Sequence, residues 1–246
     1  MKLEICTGNF NSVKAALDGG AHRVELCSGL DEGGLTPSAG LIKAACQLKQ
    51  IDKHVLIRPR GGDFLYNTKE KDIILEDIAY SKILGVDGIV IGALTETGEI
   101  DIPFIRECVK AAQGLHVTFH RAFDLCADPL KALDDITDTG CDRILTSGQA
   151  SSAEAGIPLL QTLVKKAGKD IIIMPGCGVS PLNAAKILRE TGATEIHASA
   201  RCEVKSKMKF RLQGVEMGKA NVDEYTIKET DQNIVSKILK EISSLS

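Results

Sequence analysis

The sequence predicts an α/β protein, a (β/α)8 TIM barrel formed as a single domain over residues 1–246, and three observations carry that prediction. Short apolar runs alternate with longer amphipathic segments from one end to the other. Eight such strand–helix pairs occur, and their alternation implies parallel strands joined by right-handed crossovers. The length of 246 residues matches the roughly 250 that eight units need to close into a barrel. An open doubly wound sheet is the alternative. Gly8-Asn9-Phe10 does not supply the glycine fingerprint expected after its first strand, and no nucleotide-cofactor motif is found.

Taken in order, Leu3–Thr7 reads as a strand and Asn11–Asp18 as a helix that Gly19-Gly20 stops. Arg23–Ser28 is the second strand. After the Gly33-Gly34-Leu35-Thr36-Pro37 loop, Ser38 caps a helix running towards Gln50. His54–Arg60 is the third strand, with a helix over Thr68–Leu84. Gly88–Leu94 precedes a helix over Ile102–Ala112 capped by Asp101. The fifth strand starts at His116, in a stretch that turns polar before Asp124, and a helix over Asp128–Thr137 follows. The last three units are Arg143–Ser147 with Ser152–Lys166, Asp170–Met174 with Pro181–Glu190, and Glu195–Ala200 with Gln232–Ser244. The interval of about 201–230 reads as a long loop before the last helix, a lid, a subunit contact or a passive surface segment.

Composition narrows the function classes. A net charge of −3 gives no electrostatic case for nucleic acid or anionic membrane. With 4% aromatic residues and no Trp, stacking platforms for single strands are disfavoured. No apolar run approaches the roughly 20 residues that span a bilayer. Without a signal-like apolar segment the expected location is cytoplasmic. The eight Cys are scattered without a CxxC pair, so reduced thiols are expected.

Residues two apart on a strand share a face. That rule pairs Glu4 with Cys6, Glu25 with Cys27, Arg58 with Arg60, Thr118 with His120, and His197 with Ser199, near the strands' carboxyl ends. Barrels place their chemistry at that end. The candidate catalytic set is Glu25, Arg58, Arg60, His120, Asp124 and His197, with Glu4 and Ser147 beside them. His120 with Glu25 or Asp124 would form an acid–base pair, and the arginines would hold an anion. The alternative is an ion-pair layer that only fills the barrel. Cys6 and Cys27 end adjacent strands and are a candidate Cu(I) pair; otherwise they are two buried thiols. Gly176, Gly178 and Ser180, with Ser199 after the eighth strand, suggest a phosphate or anion site. The alternative there is a tight turn.

Several motifs then resemble a known family. Glu25-Leu26-Cys27, Gly33 to Ser38, Ile57-Arg58-Pro59-Arg60, Gly62-Asp63-Phe64, Thr118-Phe119-His120-Arg121-Ala122-Phe123-Asp124, Leu145-Thr146-Ser147-Gly148 and Glu195-Ile196-His197 are similar to signatures of the CutC copper homeostasis family. The similarity runs in order from about Leu3 to Ala200. It implies a cytoplasmic TIM barrel that forms a homodimer or higher homo-oligomer. It also implies a Cu(I) role, for which Cys6 and Cys27 are the matching thiols. Two functions follow as expectations: a copper-binding protein, or an enzyme acting on a small anionic or phosphorylated metabolite.

Overall fold

Strand β1 (Lys2–Thr7) carries Leu3 and Ile5 on one face, and Glu4 and Cys6 on the other. In the computed structural model, which describes residues 1–212, 214, 215, 217 and 223–245, the same alternation builds a barrel. The elements after β1 are α1 (Phe10–Asp18), β2 (Arg23–Leu26), α2 (Ala39–Ala45), β3 (Asp52–Leu56), α3 (Thr68–Ile83), β4 (Gly88–Ile91), α4 (Ile102–Ala111) and β5 (His116–Phe119). They continue with α5 (Pro129–Thr137), β6 (Arg143–Thr146), α6 (Ile157–Ala167), β7 (Ile172–Pro175), α7 (Ala184–Thr191) and β8 (Glu195–Ala198). The strands form one parallel sheet in the order β7-β6-β5-β4-β3-β2-β1-β8. β7 packs beside β8, so the eight strands make a nearly closed (β/α)8 barrel, as the alternation of runs predicts.

Local chemistry explains most helix starts. Asn9, Ser38, Asp101 and Asp128 each accept a backbone N–H from the first turn of the helix they precede. Asn67 and Glu70 form a reciprocal capping box on α3. Three helix ends differ by three residues or more from those expected. α2 stops at Ala45 rather than continuing to Gln50. α6 begins at Ile157 rather than Ser152, because the Ala153 N–H is bound to the Cys177 carbonyl across the mouth. α7 begins at Ala184, since Asn183 Oδ1 takes the Ser180 N–H at 2.8 Å and holds a turn there.

The interval expected as a long loop is instead partly an antiparallel hairpin of β9 (Arg201–Lys205) and β10 (Thr226–Thr230); residues 213, 216 and 218–222 of it lie outside the described residues. Its strands are largely exposed, so no buried face imposes an apolar period on them. The hairpin is tied to the barrel at its base. Thr230 N–H donates to Ser12 Oγ at 3.0 Å, and Asn9 and Asn11 both donate to Glu229 Oε1. Helix α8 (Gln232–Ser243) follows and buries Val235, Ile238 and Ile242. Among the described residues no helix is long and apolar enough to cross a membrane.

The apolar bulk lies between sheet and helices, where Leu3, Ile5, Val24, Val55, Ile89, Val117, Phe119, Ile144 and Ile196 meet the helical faces. The barrel interior is different. Among the described residues a small apolar cluster of Cys27, Leu56 and Val90, flanked by Cys6 and Leu30, lies there, with Leu145 on the cavity wall and Met174 against Arg23. Much of the remainder is polar or charged.

Candidate functional site

Strand register assembles the site. Glu4 on β1 lies opposite Arg23 of β2 on one side and His197 of β8 on the other. One pleat further along, Cys6 lies opposite Glu25. At the lower level Arg23 binds Glu4 through Nε and Glu195 through Nη2, and Arg143 binds Glu195 at 2.7 Å and Thr118 Oγ1 at 3.1 Å. These four charged groups form a buried ion-pair layer that closes the barrel below the site. Charges stay inside a fold only when paired in this way.

Above that layer, His197 Nδ1 is 2.7 Å from Glu4 Oε1, and its Nε2 is 3.9 Å from Glu25 Oε2. Burial works against a charged imidazole here, but Cys6, Glu4 and Glu25 overcome it and hold His197 well above its ordinary pKa. Burial likewise opposes ionisation of Glu4, yet Arg23 and His197 hold that carboxyl well below the usual carboxylate range. At Glu25 the support from His197 does not outweigh burial. Burial raises it, and its Oε2 accepts the Cys27 thiol at 3.3 Å. Burial and the Glu25 carboxylate push the Cys27 thiol far up. The Sγ of Cys6, a carboxylate oxygen of Glu25 and a ring nitrogen of His197 all lie within 4.8 Å of one another.

This cluster faces a cavity of about 290 Å³ at the carboxyl end of the strands, also lined by Leu56, Arg58, Phe64, His120, Arg121, Gly178, Ser199 and Arg201. The structure therefore gathers Cys6, Glu25, Cys27, Arg58, His120, His197, Gly178 and Ser199 around one space.

Other expected members stand elsewhere. Arg60 turns outward to Glu70 Oε1 at 2.6 Å and Asp63 Oδ1 at 3.0 Å, because the loop after β3 leaves the strand's alternation before reaching it. Arg60→Ala is therefore expected to leave ligand affinity at the cavity unchanged within about twofold, measured by titration. Asp124 is a tie between loops. It accepts N–H bonds from Ser147 and Gln149 and the Ser147 hydroxyl, and pairs with Arg121 at 2.7 Å. Gly176 N–H is bound to Thr146 O, and Ser180 belongs to the turn before α7, so neither lines the cavity.

The expected pairing of His120 with Glu25 or Asp124 does not form. His120 Nδ1 instead accepts the Ala122 N–H at 3.1 Å, and its ring lies 4.9 Å from that of Phe64. Arg58 is likewise committed. Its Nη1 donates to the Glu32 and Gly34 carbonyls and its Nη2 to Gly62, all at 2.8–2.9 Å. Spacing pointed to none of these backbone partners. Arg23, Arg143 and Glu195 were overlooked, although Arg23 precedes Glu25 by two residues and Glu195 precedes His197 by two.

The sequence profile of the CutC family matches residues 1–202. A CutC family protein of Bacteroides thetaiotaomicron is 50% identical over 245 residues, covering 99% of this chain and 98% of the relative. A human protein named copper homeostasis protein cutC homolog is 46% identical over 230 residues, covering 93% of this chain and 84% of its own length. A crystal structure of CutC from Streptococcus agalactiae superimposes with a TM-score of 0.78 at 38% identity, covering 81% of this chain and 98% of the other. Profile, relatives and fold agree with the motifs that end the strands: the chain belongs to the CutC family.

Proposed function

We propose that the cavity floor binds Cu(I), with Cys6 and His197 as ligands and Cys27 joining them once its thiol releases Glu25. The observation that carries this reading is the convergence of a thiol, an imidazole and a carboxylate within 4.8 Å, next to a second thiol. Cu(I) takes few ligands and prefers sulfur and imidazole. The Glu4 carboxylate on His197 Nδ1 is the outer partner that metal-binding histidines need, since it orients the ring and leaves Nε2 for the metal. The human relative's name, which refers to copper homeostasis, agrees with this choice. Both His197 and Cys27 hold protons that a metal must displace, so affinity rises with pH.

The test is a titration of reduced protein with Cu(I) against a chromophoric Cu(I) chelator. Wild-type protein is expected to bind stoichiometrically. Cys6→Ser with Cys27→Ser weakens binding by more than about a hundredfold, and Glu4→Gln by about 10- to 100-fold. Stoichiometric binding retained in the double variant, or tighter binding of Zn²⁺ than of Cu(I), overturns the proposal.

A further inference from the structure

His120 is the second imidazole of the cavity, and it lies outside the Cys6–His197 cluster. Its Nδ1 accepts the Ala122 N–H, so that nitrogen carries the lone pair and a neutral ring bears its proton on Nε2. Burial, with the Arg58 guanidinium next, brings the ring's pKa down to about 3, which keeps it neutral. Packing fixes the orientation as well. A Cβ at Gly92 would fall 2.5 Å from Nδ1 and Cε1, so only glycine there lets that edge of the ring lie against β4. His120 is 5% exposed, and its buried Nε2 has no hydrogen-bond partner among the described residues. Buried donors are almost always paired. A lone donor, locked in one tautomer on the wall of a cavity, marks the place of an acceptor atom that the chain itself does not supply.

The charge of the lining says what kind of molecule brings that acceptor. Three guanidiniums, Arg58, Arg121 and Arg201, face the cavity with a single carboxylate, Glu25, in a protein whose net charge is −3. Arg58 is committed to loop carbonyls. Arg121 pairs with Asp124 at 2.7 Å and Arg201 lies 3.9 Å from Asp31, yet their side chains stay 44% and 30% exposed, with donors left for a ligand. A concave site with cationic walls concentrates anions.

We propose that the cavity seats a small organic anion, one oxygen of which accepts the His120 Nε2–H while its negative charge lies against Arg121 and Arg201. The volume of about 290 Å³ suits a molecule of metabolite size. The acceptor is a carbonyl or carboxylate oxygen, to which a neutral imidazole donates without surrendering its proton. Such a fixed donor also stabilises charge that develops on an oxygen during reaction. The inference is independent of metal at Cys6.

The experiment uses full-length protein with ¹⁵N-labelled histidine, and malonate as the probe. The expected spectrum at neutral pH shows His120 with Nδ1 unprotonated and Nε2 protonated. Malonate at up to tens of millimolar moves the Nε2 signal, and uncharged malonamide does not. Arg201→Ala weakens malonate binding about tenfold, as expected for losing a charge-assisted contact. His120→Gln weakens it by at least as much. Because His120 is buried and its replacement risks the fold, the half-buried Arg201 provides the decisive variant. The opposite tautomer, an imidazolium at neutral pH, silence of the Nε2 signal towards malonate, or unchanged affinity in Arg201→Ala each overturns the proposal.

Discussion

Mild acid is expected to destabilise the protein steeply, by on the order of 2–3 kcal/mol for each pH unit below 6.5. Two buried imidazoles produce the effect. Burial, followed for His120 by Arg58 and for His54 by Arg23, Arg143 and His116 against an opposing Glu4, brings both pKa values down to about 3. In the unfolded chain both rings protonate near their ordinary value of 6.5. Between those limits these two rings leave the unfolded state with two more protons than the folded state, and Glu25, whose carboxyl burial raises, offsets one of them once pH falls through its folded value, so stability still rises with pH. Each ring contributes about 1.4 kcal/mol per unit. His197 has the opposite sign. Its raised pKa gives stability that is complete below 6.5 and is lost as pH climbs through the folded value. Glu4 and Glu195, both held low, lose their contribution only as pH falls through their folded values. The maximum should therefore lie just above 6.5. Since small proteins have only about 5–15 kcal/mol in total, urea midpoints measured from about pH 7 down to about pH 5 should fall sharply. A flat series would mean that the native protein protonates both rings.

Arg23→Met should be the most damaging single replacement in the barrel interior. The side chain is 4% exposed and bridges Glu4 and Glu195, while its Nη2 also rests 3.3 Å from Met174 Sδ. Methionine fills much of the volume but leaves two carboxylates facing each other, with only His197 and Arg143 to balance them. Removing one partner of a buried ion pair costs about 3–5 kcal/mol. For a chain of this size that lowers the melting temperature by on the order of 10 °C. The loss should grow with pH, because a carboxyl deprived of Arg23 escapes the penalty by staying protonated. A loss below about 1 kcal/mol at neutral pH would show that the layer contributes little to the fold.

The barrel was legible because its signal is repeated. Each strand's outward residues, such as Val24 and Leu26, are apolar in a period that helices do not share. The convergence of Glu4, Cys6, Glu25 and His197 was legible for the same reason, since the period of two that sends Leu3 and Ile5 outward sends Glu4 and Cys6 inward. The rule fails where strands end. Arg58 and Arg60 share a face only if β3 continues, but it stops at Leu56, and Arg60 then swings to Glu70. Asp124 was misplaced because its partners are backbone N–H groups of the loop after β6, which spacing does not reveal. The hairpin of β9 and β10 escaped because its exposed residues carry no apolar period. The His120 tautomer depends on an N–H two residues away in a tight 3-10 turn, a detail that only coordinates contain.

The guanidinium of Arg58 has a mechanical consequence. By holding the carbonyls of Glu32, Gly34 and Gly62 at once, it rivets the loop after β2 to the loop after β3. Two connections that would otherwise breathe separately become a single stiff jamb on one side of the mouth. Another part of the rim is built from Cys177-Gly178-Val179, Ser199 and Arg201 in the segments after β7 and β8. That rim includes Cys177 and Ala200, which take left-handed backbone angles of 89° and 48° without being glycine.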